Sequence, residues 1–150
     1  MIFPAVISDT QQLSEIAYQS KAYWKYTESQ LESWREDLTV TSYMIKTMFV
    51  FKFIESGKPL GFYILNQPKQ LNIELEFLFV SPEAIGKGIG KKLLHHSFLK
   101  AQEFKCKSIT VLSDPNAIDF YNSQGFLQIE KKESSVKGRF LSVMKKKLIS

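Results

Sequence analysis

Apolar and polar positions change period several times along this chain, and each change marks an element. Ile2 to Ile7 is a short apolar run and predicts a first strand. Asp9 followed by Gln12 looks like a capping pair. Leu13, Ile16, Ala17 and Ser20 then follow helical spacing. A second helix is predicted over 29–37, with Leu31 and Trp34 three apart. The segment between these helices holds Tyr23, Trp24 and Tyr26, a high aromatic density for a loop. Thr47 to Ile54 is rich in strand formers, Ser56–Gly57–Lys58 is a turn, and Leu60 to Leu65 is its hairpin partner. Leu71 to Val80 alternates at first, with Asn72, Glu74 and Glu76 polar, and turns continuously apolar from Phe77. That change predicts a strand entering an interior covered on both faces.

Ser81–Pro82 closes this strand. Gly86, Gly88 and Gly90 follow, and then a helix to about Phe104 with Leu93, Leu94, Phe98 and Ala101 on one stripe. Ile109 to Leu112 is a short buried strand. Asp114–Pro115 opens a helix that ends at Gly125. Phe126 to Glu130 and Phe140 to Met144 are the last strands, joined through Lys137–Gly138–Arg139. The order β-α-α-β-β-β-α-β-α-β-β predicts an α/β mixed sheet in one domain, 1–150. Its strand–helix–strand unit from Leu71 to Leu112 should be parallel and right-handed.

Composition narrows the class. The chain has 150 residues, 44% of them hydrophobic and 23% charged, as in ordinary globular domains. The single cysteine, Cys106, excludes an internal disulfide and predicts a packed thiol in a reducing setting. No apolar run reaches the roughly 20 residues that span a bilayer, and Met1 to Thr10 lacks the basic start of a signal peptide. A cytoplasmic protein without membrane association is expected. The net charge of +5 is unevenly spread: −3 over 1–86, +5 over 87–107, −3 over 108–130 and +6 over 131–147. The first basic block starts inside the glycine turn, where an anionic ligand would be drawn.

That turn carries the chemistry. A strand ends at Val80, glycines follow, and a helix begins. Backbone N–H groups of Gly86, Lys87, Gly88, Ile89, Gly90 and Lys91 can then face a phosphate, helped by the positive end of the helix dipole. The P-loop is excluded because Lys87 is followed by Gly88 rather than Ser or Thr. The Rossmann fingerprint is excluded because the required glycine positions hold Lys91 and Leu93.

Ile85-Gly86-Lys87-Gly88-Ile89-Gly90, after an apolar strand, resembles the acyl-CoA signature of the GCN5-related N-acetyltransferases (GNAT). Ala117, Phe120-Tyr121 and Gly125-Phe126 resemble the second landmark of that family. The resemblance implies the GNAT fold, a largely antiparallel sheet with a central splayed parallel pair and helices on both faces. It implies acetyl-CoA as co-substrate, with Phe79 and Val80 offering backbone groups to its pantetheine arm and residues 86–91 holding its diphosphate. Tyr121 would stand near the thioester sulfur. Two positions depart from the pattern. Ile85 stands where Arg or Gln is usual, which predicts weaker cofactor binding. Asp114 stands where many members have Asn, with Asn116 nearby as a further cofactor contact.

A lysine-like amine arrives protonated, since its pKa is about 10.4. Glu74 and Glu76 are alternate residues on the strand leading to the cradle, and either can be the base that takes the proton. Tyr121 is the candidate acid for the departing thiolate. His95 and His96 fall off the apolar stripe, are expected on the surface, and bring no metal spacing. Tyr23, Trp24 and Tyr26 lie where the resemblance puts the acceptor-side loop, and would either wall an acceptor pocket, bind a cationic amine by their π-faces, or pack the loop onto the core. The expected partner is a small-molecule or peptide amine, attacked directly in a ternary complex; pairing of two copies of the chain is left open. A coenzyme-binding sensor without turnover is the alternative. A nucleic-acid module built on 131–147 ranks lower, because no RNA-binding aromatic signature or helix-turn-helix accompanies it.

Overall fold

The computed structural model describes residues 1–134 and 138–148. Lys137, expected in the last strand connection, lies outside them. Seven strands form one sheet in the order β1-β2-β3-β4-β5-β7-β6. They are β1 (Ile2–Pro4), β2 (Phe49–Glu55), β3 (Lys58–Leu65), β4 (Asn72–Val80), β5 (Ser108–Ser113), β6 (Leu127–Glu133) and β7 (Phe140–Lys147). Among the described residues five α-helices pack on it: α1 (Thr10–Ala22), α2 (Glu28–Trp34), α3 (Ser42–Thr47), α4 (Ile89–Glu103) and α5 (Ile118–Ser123). Among the described residues only the β4–β5 ladder is parallel, as expected for strands joined through α4. None of the described helices is long and apolar enough to cross a membrane.

Each face of the sheet has its own core. Leu60, Tyr63 and Leu65 of β3 pack with Leu93, Leu94 and Ala101 of α4. Phe62 and Ile64 point the other way, to Leu13, Ile16 and Ala17 of α1 and to Leu31 and Trp34 of α2. This alternation makes β3 the strand covered on both sides, buried continuously from Leu60 to Leu65. The apolar end of β4 was expected in that position. Instead Leu78, Phe79 and Val80 are half-buried, because the neighbouring strand turns away from them.

Other expectations are corrected locally. Asp9 does not cap α1 with its carboxylate; it accepts from the Val6 amide at 2.8 Å and pairs with Lys52 at 2.8 Å. The short helix α3, absent from the sequence reading, is capped by Thr41, whose hydroxyl accepts from the Met44 amide. His95 is exposed as expected. His96 is half-buried, with its Nδ1 hydrogen-bonded to the hydroxyl of the buried Tyr63 at 2.6 Å. Cys106 is a free, buried thiol whose pKa is raised by burial.

Candidate active site

The β4–β5 ladder is short. It joins Asn72–Leu75 to Ser108–Val111 and stops there. Beyond Leu75, β4 follows β3, pairing Phe77 with Ile64 and Val80 with Gly61. Beyond Val111, β5 follows β7, pairing Ser113 with Ser142. The two central strands therefore part, each held by its outer neighbour, and the β5-facing backbone of β4 is left unpaired from Phe77 to Val80. A cavity of about 420 Å³ lies in the parting, with Leu78, Phe79, Val111 and Leu112 among its walls.

Glu76 stands at the point of divergence. Leu65 pairs with Leu75 and Ile64 with Phe77, so Glu76 is the extra residue of a β-bulge. Asn66 fixes that bulge: its amide N–H donates to the Glu74 carbonyl at 2.9 Å, and its Nδ2 donates to Glu76 Oε1 at 2.9 Å. Glu76 lines the cavity and Glu74 does not. The two carboxyl groups still interact. Burial first, and then the Glu76 carboxylate, push Glu74 up to about 7, against the pull of Lys132 and Lys69.

Tyr121 reaches the same cavity from α5. Its ring is packed edge-on against Phe120 and Phe126, each at a centroid separation of 5.3 Å. Burial raises its phenol pKa well above the ordinary value. The glycine turn leads into α4, whose first amides have no partner within the helix. Gly88 is the N-cap of α4 with φ +76°, and Gly86 has φ +88°. A Cβ at either would meet open space, so the backbone conformation, not crowding, requires glycine there. Among the amides expected to hold a diphosphate, that of Lys87 already donates to Ala84 at 3.4 Å. Ile85 is exposed and brings no polar group.

The other end of the cavity is built around Asp114. Its carboxylate pairs with Lys21 at the end of α1 and accepts from Arg139 Nη2 at 2.5 Å, between β6 and β7. Tyr26 donates to it at 3.0 Å, and the Asn116 amide at 2.8 Å. Asn116 Nδ2 lies 3.0 Å from both Tyr26 and Asp114, so its side chain is spent inside this cluster. Burial alone would raise the Asp114 pKa; the Lys21 and Arg139 charges override it and hold the group at about 2. Tyr26 and Trp34 meet edge-on at 4.8 Å, and both cations lie over their faces at 4.9 to 5.6 Å. Of the three loop aromatics expected to wall the acceptor side, Tyr26 is in this cluster. Tyr23 and Trp24 are about half exposed and pack on each other. Lys21 had no reading in the sequence, and Trp34 and Arg139 were read only as a helix position and a strand connection, because no spacing links positions so far apart to one site.

Residues 12–148 match the family model of the acetyltransferase (GNAT) domain. The chain belongs to this GNAT acetyltransferase family. A protein described as an uncharacterized N-acetyltransferase in Pyropia yezoensis is 26% identical over 85 residues, which is 57% of this chain and 47% of that one. The chain thus spans about half the length of the curated relatives it matches. Among solved structures, a GCN5-related N-acetyltransferase from Rhodopseudomonas palustris superposes with a TM-score of 0.84 at 22% identity, over 99% of this chain and 95% of that one. The PaiA N-acetyltransferase from Thermoplasma acidophilum, solved with coenzyme A, gives 0.80 at 22% identity over 98% of each chain. These likenesses bear out the expected fold. The family match and the coenzyme in that neighbour support acetyl-CoA as the co-substrate.

The chain's own residues fit such a group. The β4–β5 ladder ends at Leu75, a cavity lined by the Tyr121 phenol opens beyond it, and β4 leads into an open glycine turn at a helix start.

Proposed function

We propose that this protein is an acetyl-CoA-dependent N-acetyltransferase acting on a primary amine of a small molecule or peptide. The carrying observation is the parting of β4 and β5, with Glu76 and Tyr121 lining one cavity on the strand that leads into the glycine start of α4. Bound acetyl-CoA supplies an acetyl group activated as a thioester, which the amine nitrogen takes as the C–S bond breaks. The backbone edge of Phe79 and Val80 holds the pantetheine arm. The amides of Gly86, Gly88, Ile89, Gly90 and Lys91 hold the diphosphate.

Glu76 accepts the proton of the incoming ammonium at its carboxylate oxygen, directly or through water. Glu74, which burial and the neighbouring Glu76 carboxylate push up to about 7, stands beside it as a second proton acceptor. The Tyr121 hydroxyl gives its proton to the leaving thiolate, and burial keeps that hydroxyl protonated until then. The soluble interior of a cell, where acetyl-CoA is made and used, suits this reading.

Thiol release is measured across a panel of primary amines with acetyl-CoA. Turnover that falls at least tenfold in Glu76→Gln supports the assignment. Coenzyme A raising the melting temperature with no thiol released for any amine would favour the sensor reading instead.

A further inference from the structure

Asn66, Glu74 and Glu76 meet where β4 leaves its parallel partner, and the Asn66 side chain can take only one orientation there. Its Oδ1 lies 2.8 Å from the Gln67 amide nitrogen. An amide N–H can only donate, so the oxygen faces Gln67. The NH2 end is thereby turned to Glu76, where Nδ2 donates to Oε1 at 2.9 Å. Gln67 ties the turn down, its Nε2 donating to the Thr47 carbonyl at the end of α3 at 2.8 Å. The bond from the Asn66 amide to the Glu74 carbonyl is separate and uses no side chain.

Glu76 also lies within hydrogen-bonding reach of the Glu74 carboxyl group. Two carboxyl groups bond only when one of them carries a proton and donates it. Glu76 already receives an N–H from Asn66, which favours its ionised form. The Glu74 carboxyl has no other hydrogen-bond partner among the described residues. The shared proton therefore belongs to Glu74. Lys69 and Lys132 pull against it, and are outweighed by burial and by Glu76. On the cavity side of Glu76, Lys21 and Arg139 pair with Asp114, and Asp37 and Glu133 are the remaining acids among the lining residues.

We propose that Asn66 is a positioning residue for the base: its side-chain N–H holds Glu76 by one oxygen, assigns the shared proton to Glu74, and leaves the other Glu76 oxygen for the substrate ammonium. The proposal rests on the acetyltransferase reading of the same cavity. Asn66 touches neither amine nor coenzyme and acts through Glu76. In turnover an N–H bond of the ammonium breaks and its proton forms an O–H bond on Glu76. The electron pair stays on nitrogen, which then attacks the thioester carbon.

Two variants test this. Asn66→Asp is nearly isosteric: it keeps an oxygen for the Gln67 amide and replaces only the donor. Asn66→Ala removes the donor without adding charge. In Asn66→Ala, kcat for thiol release at neutral pH should fall about tenfold, a part of the roughly 10²–10⁴ that a whole base contributes. KM for acetyl-CoA should not change. The acidic limb of kcat should move up by about half a unit to one unit. Asn66→Asp should move it further, since a third carboxylate then faces Glu76. The same proteins, isotope-labelled at the glutamate carboxyls, are titrated by NMR without substrate, with resonances assigned through Glu74→Gln and Glu76→Gln. In the wild type the titration at about 7 should belong to Glu74. In both Asn66 variants the titration of Glu76 should move to higher pH. If one variant does not fold, the other reads the same two quantities.

An acidic limb and a Glu76 resonance unmoved by either substitution overturn the proposal, as does a wild-type titration at about 7 that belongs to Glu76. Loss of melting temperature and of coenzyme A affinity with the pH profile unmoved makes Asn66 structural only, and overturns it too. The spectra do not depend on turnover. A Glu76 titration that follows Asn66, with no thiol released for any amine, defeats the acetyltransferase reading and leaves the proton assignment standing.

Discussion

Two glycines on either side of one contact should respond oppositely to the same substitution. Gly61 of β3 lies against β4 and α4. A Cβ there would sit 2.9 Å from the Phe79 carbonyl oxygen, 3.0 Å from Leu93 Cδ1 and 3.4 Å from Ile89 Cγ2. The leucine methyl can rotate away, but the backbone oxygen cannot. Overpacking of this kind costs about 1–3 kcal/mol. In a chain of this size each kcal/mol moves the melting temperature by about 2–4 °C. Gly61→Ala should therefore melt about 2–12 °C lower. Gly90 of α4 has room: its Cβ would lie 3.6 Å from Val80 Cγ2 and 3.8 Å from Phe120 Cζ, ordinary contacts. Alanine in a helix is favoured over glycine by up to about 1 kcal/mol, so Gly90→Ala should melt up to about 4 °C higher. The Gly61 variant also displaces the Phe79 backbone, which borders the cavity, so it should lose coenzyme A affinity beyond its loss of stability. Thermal melts by circular dichroism, with and without coenzyme A, read all of this. Equal melting temperatures for Gly61→Ala and the wild type would refute the packing argument.

Four further outcomes are expected. Tyr121→Phe keeps the ring contacts with Phe120 and Phe126, so it should fold while thiol-release kcat falls about 100-fold; an unchanged kcat would remove Tyr121 as the proton donor. The acidic limb of kcat against pH should lie near 7, where burial and Glu76 place Glu74, and Glu74→Gln should move it to lower pH. The folded pKa of Glu74 is raised, so its contribution to stability is fully present below the ordinary carboxylate value of about 4.3 and is lost as pH rises through 7. Glu74→Gln should then gain stability relative to wild type at pH 8 compared with pH 4, read by urea unfolding. Asp114 has the opposite sign: its folded pKa is depressed to about 2, so its contribution is present above about 3.9 and is lost as pH falls through 2. That contribution is at most about 2 kcal/mol, since burial of Lys21 lowers the partner's pKa and offsets part of it; a stability gap to Asp114→Asn that does not narrow in acid would contradict it.

The strand and helix order was legible because each element carries its own period, and because Pro82, Gly88, Pro115 and Gly125 punctuate them. The cradle was legible because it is one contiguous stretch. The choice between Glu74 and Glu76 was not. Alternation puts both on one face, and only the bulge against β3, fixed by Asn66, brings Glu76 alone to the cavity. The Asp114 cluster was invisible for another reason. It unites residues of α1, the following loop and the β6–β7 connection, and the partner separations of 93, 88 and 25 positions have no local signature. Asp114 was read as a helix start and as a departure from a pattern, not as the centre of a charged cluster. Its two cationic partners explain why a carboxylate is stable there.

The sheet order also bears on how the molecule is assembled during synthesis. β7, last in sequence, is not an outer strand but is inserted between β5 and β6. Until Phe140 to Lys147 has left the ribosome, β5 exposes a raw edge, and β6 has nothing to zip onto. A nascent chain halted in that interval carries two unsatisfied strands, the condition under which chains stick to one another. Chaperone capture should therefore be heaviest for products ending between Glu133 and Phe140.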